Sequence, residues 1–123
     1  MLQLFSKKIR NRKGFTLIEL VVVIAILGIL AAIAVPKLTA SRDNAENSAH
    51  NANVRTLESA ASLYIANEGA PNADETWDGT AGQNWEDYIQ NWPTPPARIG
   101  AAYSLVIGTD GSIAVLPAAV AIP

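Results

Sequence analysis

From Phe15 to Val35, twenty-one consecutive residues carry a single charge, that of Glu19. As a helix rising ~1.5 Å per residue the run is roughly 31 Å long, about the thickness of a bilayer core. Lys7, Lys8, Arg10, Arg12 and Lys13 stand directly ahead of it. Positive charge on that side orients the helix with its N-terminus in the cytoplasm. From Phe15 onward the balance reverses: four basic residues face all eleven acidic ones, a formal −7. A basic head on an acidic body argues for a membrane-targeting signal and against a nucleic-acid-binding fold. An uncleaved signal anchor is one reading. A secretory signal peptide is another, with Ala31-Ala32-Ile33-Ala34 imitating its cleavage site, but its apolar stretch would be shorter.

Composition narrows the chemistry. The chain has 123 residues, no cysteine and one histidine. That length allows one small domain. Disulfide scaffolds, thiolate zinc sites and cysteine nucleophiles are excluded, and so is a multi-histidine metal site. Nothing resembles a nucleophile–base pair, a P-loop or a dinucleotide fingerprint, so neither an enzyme nor a cofactor is expected. His50 falls among Asn and Ala on a helical stretch and is expected to be solvated.

Glu19 is the residue that a plain anchor does not explain. A carboxylate inside a spanning helix costs several kcal/mol unless it protonates or finds a partner, roughly 3 kcal/mol on insertion scales. No cation follows until Lys37, some 27 Å along the helix at ~1.5 Å per residue. A cut after Gly14 would give Phe15 a free amine, with an ordinary pKa of about 7.7–8.0. That amine would be the natural counter-charge, from the same helix or from a neighbour.

The stretch Lys13 to Pro36, reading KGFTLIELVVVIAILGILAAIAVP, resembles the leader junction and N-terminal helix of the type IV pilin and pseudopilin superfamily. The resemblance covers about a fifth of the chain. It implies that residues 1–14 are a leader, removed by a membrane-embedded prepilin peptidase that cuts after Gly14 and N-methylates Phe15. It implies 109 residues in the mature protein, a hydrophobic membrane and filament-core helix over 15–36, and no catalytic role. Phe15, Glu19, Gly28 and Pro36 would serve assembly. Glu19 would meet the Phe15 amine of an adjacent subunit, and the helix would loosen between Gly28 and Pro36 within a filament. Independently of the resemblance, Pro36 donates no hydrogen bond to the Ala32 carbonyl, and Gly28 is a weak helix position. The alternative for both is a kinked but intact membrane helix.

The remaining residues predict an α+β fold: a long N-terminal helix whose C-terminal half packs on a small antiparallel sheet. Residues 37–68 contain neither Pro nor Gly and continue the helix. Leu38, Ala45, Ala49 and Ala52, then Leu57, Ala61, Tyr64 and Ile65, form its apolar stripe. Arg42–Glu46 and Arg55–Glu58 are helix-spaced charge pairs. Gly69 stops the helix, with Pro71 beyond. A globular part follows over 69–123. Residues 70–83 read as a loop, and Asn84 reads as the cap of a short helix presenting Trp85, Tyr88, Ile89 and Trp92 on one face. Ala102–Gly108 and Ser112–Leu116 read as strands joined by a type I′ turn at Asp110-Gly111. Ala118–Ile122 reads as a third short strand.

Asp74, Glu75 and Asp78 are a weak calcium candidate, since they lack the regular D-x-D-x-D-G ladder. The aromatics read as core or subunit contacts before an electron path. The acidic body offers no basic patch, so no direct nucleic-acid partner is expected. The partners implied by the resemblance are further copies of the chain in a helical homopolymer, the prepilin peptidase, the membrane assembly machinery, and membrane lipid before assembly. The protein would begin in the inner membrane and end in an extracellular filament. The main reading is the major subunit of a type IV pilus. The alternative is a pseudopilin of a type II secretion or competence apparatus, toward which the short domain without a cysteine pair moves some weight. The segment Trp92-Pro93-Thr94-Pro95-Pro96 resembles small pilins and pseudopilins alike.

Overall fold

A computed structural model describes residues 14–123. The five basic residues of the expected leader lie outside the described residues. One helix, α1, runs from Leu17 to Glu68 with Pro36 inside it. Two units are distinguished, one ending at Thr39 and one beginning at Ala40. In the first, every residue from Gly14 to Thr39 is exposed. The helix is long and apolar enough to cross a membrane. It stays helical through Gly28 and Pro36 in the single chain, and the expected loosening concerns a filament.

The second unit holds the core. Val54, Leu57, Ala60, Ala61 and Tyr64 of α1 are buried, at the three- and four-residue spacing that puts side chains on one face. Half of the expected stripe is therefore correct. Leu38, Ala45, Ala49 and Ala52 are exposed instead. Upstream of Val54 the inward face is polar, built around the fully buried His50. Gly69 ends the helix, donating its N–H to the Ile65 carbonyl at 2.9 Å. Arg42 pairs with Glu46 at 3.3 Å. Among the described residues Arg55 and Glu58 form no such pair.

Three short strands form one antiparallel sheet in the order β1–β2–β3. They are β1 (Glu75–Trp77), β2 (Ser104–Ile107) and β3 (Ile113–Leu116). Trp77, Leu105 and Val115 face one another across the sheet. All three are buried, as is Ile107. The alternation of β2, with Leu105 and Ile107 buried and Ser104 and Val106 half-exposed, is the period-two signature of a sheet covered on one face.

The third strand is β1, inside the stretch expected to be loop. Residues 118–122 form no strand. Pro117 has no N–H to donate, and the backbone beyond it is bonded to side chains of α1. The β2–β3 turn is also not type I′. That turn needs positive φ at both central residues. Gly111 has φ +80°, but among the described residues no non-glycine residue is positive. Instead Gly111 donates to Gly108 and Gly108 to Ser112, at 3.0 and 2.8 Å, a three-residue turn closed by a left-handed glycine. Asn84 opens only a 3₁₀ turn, Asn84–Asp87, preceded by Gln83 without a side-chain cap. The side chain of Asn84 is elsewhere, donating to Glu75 at 2.7 Å.

Candidate functional site

The start of α1 brings three of the expected residues together, Gly14, Phe15 and Glu19. Gly14 and Phe15 lie outside the helix. Phe15 is 92% exposed. Among the described residues, a Cβ built on Gly14 would meet nothing within 4 Å. None of the described residues therefore calls for glycine at this position.

Thr16 and Glu19 form a reciprocal pair. The Thr16 N–H donates to Glu19 Oε2 at 2.8 Å, and the Glu19 N–H donates to Thr16 Oγ1 at 3.2 Å. Thr-x-x-Glu at a helix start is a capping box, which satisfies two N–H groups that the helix leaves open. Glu19 is thus held at the head of an exposed apolar surface, with one carboxylate oxygen committed to its own helix. Thr16 was readable as a cap from its spacing to Glu19. Gly28 and Pro36 sit farther along the exposed helix, and a Cβ on Gly28 would also meet nothing within 4 Å.

The carboxylates of the candidate calcium loop serve other ends. Glu75 accepts from Tyr64 Oη at 2.7 Å, Trp77 Nε1 at 2.8 Å and Asn84 Nδ2 at 2.7 Å. Burial alone would raise its carboxyl pKa, but these three donors outweigh it and hold the group below the usual range. The Glu75 bond pushes the Tyr64 hydroxyl up. Asp74 accepts the Thr109 N–H at 3.2 Å, and Asp78 the Thr80 N–H at 3.0 Å. Among the described residues no three His, Cys, Asp or Glu side chains group to hold a metal ion. Both oxygens of Glu75 and one oxygen each of Asp74 and Asp78 thus accept from protein donors.

A polar clasp on α1 was not expected at all. His50, read as solvated, is fully buried. Its Nδ1 is 2.8 Å from the Tyr103 hydroxyl and its Nε2 is 2.8 Å from the Ala118 carbonyl. The carbonyl can only accept, so these partners assign the proton to Nε2 and make Nδ1 the acceptor. Asn51 donates to the Val120 carbonyl and accepts the Val120 N–H, both at 2.8 Å. Asn53 donates to Thr94 O and to Tyr103 Oη, each at 3.3 Å. Glu46 Oε2 accepts the Arg98 N–H and Asn47 Oδ1 accepts from Arg98 Nη1, each at 3.2 Å. The signal was the cluster of Asn and His at helical spacing, an odd composition for a solvent face.

The family described as the prokaryotic N-terminal methylation motif matches residues 9–35. The type II secretion system core protein G of Dickeya chrysanthemi is 32% identical over 116 residues, which cover 85% of this chain and 74% of that protein. This chain belongs to the type IV pilin and pseudopilin superfamily. The core protein G of Vibrio cholerae is 39% identical over 70 residues, 56% of this chain. The type IV narrow pilus major component PilA5 of Thermus thermophilus is 38% identical over 79 residues, covering 59% of this chain and 68% of that protein. The pilin-like chain spans about half the length of the first relatives it matches, 48% of the Vibrio protein. No solved structure matches it. The apolar helix and the methylation motif together fit a membrane-anchored protein.

Proposed function

We propose that the chain is a structural, non-catalytic filament subunit, the major subunit of a type IV pilus, assembling through the first part of α1. The observation that carries this reading is the wholly exposed apolar helix surface with one carboxylate, Glu19, near its start. A surface of that length is stable only in lipid or against other apolar helices. Before assembly the membrane takes that role, and in the filament further copies take it. Gly14 marks the cut by a prepilin peptidase, and Phe15 becomes the methylated terminus. The glycine that none of the described residues calls for supports this.

A second reading is a pseudopilin of a type II secretion apparatus. It is favoured by the greater share of this chain covered in a core protein G, 85% against 59% for the narrow-pilus component. Protein sheared from cells that produce the chain at native level tests both. Abundant long fibres of a chain beginning at methylated Phe15 are expected for the pilus. Processed chain confined to the envelope is expected for the pseudopilin. Assembled fibres containing Met1 would overturn both.

A further inference from the structure

We infer that Thr16 is a positioning residue for leader removal: as the helix cap it stops α1 short of the Gly14–Phe15 bond and leaves that peptide free for attack. The inference rests on the proposed cut after Gly14. Three observations support it. First, the helix begins at Leu17, and the first carbonyl in it to accept a helical bond is that of Thr16, from Leu20 at 3.2 Å. Among the described residues no backbone N–H donates to the Gly14 carbonyl. Second, the cap is made twice over, by the reciprocal Thr16–Glu19 bonds. Third, among the described residues the Phe15 side chain is exposed and a Cβ on Gly14 would meet nothing within 4 Å.

The chemistry makes the stop matter. Peptide hydrolysis needs access to the scissile carbonyl carbon, with donors on its oxygen as charge develops there. Had α1 begun two residues earlier, the Gly14 oxygen would accept the Ile18 N–H in the regular i to i+4 pattern. The peptide would then have to be unwound first. The apolar residues after Thr16 are all compatible with a helix, so the upstream limit falls to the cap. An Ncap residue adopts extended backbone and accepts from the N2 or N3 amide through its side chain. Thr, Ser and Asp can do this; Ala and Val cannot.

The test follows leader removal in full-length chain in membranes containing the prepilin peptidase. The chain is compared with Thr16→Ala, Thr16→Val, Thr16→Ser and Thr16→Asp. Ala and Val are expected to be processed about fivefold more slowly, the rate factor that corresponds to ~1 kcal/mol of lost capping. Ser and Asp are expected to restore the rate. Hydrogen exchange in detergent should show the Glu19 amide losing protection in Ala and Val and keeping it in Ser and Asp. Equal rates for all five chains would overturn the inference while leaving the cut itself intact. Slow processing of Ser and Asp alongside Ala and Val would also overturn it, because the peptidase would then be reading threonine itself. No cut after Gly14 in the unsubstituted chain would overturn the functional reading, and this inference with it.

Discussion

His50 and Tyr103 stack with their ring centroids 5.6 Å apart and join through a 2.8 Å hydrogen bond between Nδ1 and the hydroxyl. The pair ties the helix to the residue just ahead of β2. Tyr103→Phe keeps the stack but leaves His50 Nδ1 buried without a donor. A buried acceptor without its donor costs about 1–3 kcal/mol. Thermal unfolding of the Phe variant should occur several degrees lower, with the helix content unchanged before the transition. An unshifted midpoint would show that the bond contributes nothing.

Asn51 holds Val120 by both its N–H and its carbonyl, the pairing a neighbouring strand would otherwise supply. Asn51→Ala should free residues 119–123, with Ala118 still held by His50, while the core around Leu57 and Trp77 stays packed. Two lost bonds at roughly 1 kcal/mol each set the scale. Asn51→Asp should be worse, since it keeps the acceptor but turns a carboxylate oxygen toward the Val120 carbonyl. Hydrogen exchange at the Val120 amide reads this directly, and unchanged protection in both variants would refute the clasp.

The Glu75 carboxyl is held below its ordinary value of 4.5 by net donation from Trp77, Tyr64 and Asn84, against the opposing effect of burial. Its contribution is therefore present above that value and is lost as pH falls through the lowered one. The Tyr64 hydroxyl is raised above 10.0, first by its bond to Glu75. Its contribution is present below that value and is lost as pH rises through the raised one. Stability should thus fall at both ends, and Glu75→Gln should flatten both limbs relative to the parent. Unfolding midpoints measured from about pH 3 to about pH 11 test it, and parallel curves for the two proteins would rule it out.

Glu19 already accepts from Thr16 in the single chain. Glu19→Ala keeps the Thr16 hydroxyl on the amide of residue 19, so leader removal should continue. Assembly should fail, because each incoming Phe15 amine would enter an apolar bundle without a counter-charge. Glu19→Gln should fail as well, since an amide supplies hydrogen bonds but no charge. Counting fibres on cells that produce only the variant is the measurement. Fibres of normal number and length would disprove the pairing role.

The sequence by itself determined the exposed helix, its Glu19 and Gly14 signals, the helix stop at Gly69, and the β2–β3 hairpin. These are local: apolar run, charge asymmetry, period-two alternation and a glycine after the helix all act within a few residues. Only the tertiary structure decided β1, whose three residues are a strand because β2 pairs with them, too short a stretch for periodicity to show. The same holds for the loss of a strand at 118–122. There the backbone polar groups needed partners, and the side chains of His50 and Asn51 reached them across 68 and 69 residues of sequence. It also decided the burial of His50. A histidine among asparagines looks solvated until two segments from far along the chain supply a hydroxyl for one ring nitrogen and a carbonyl for the other.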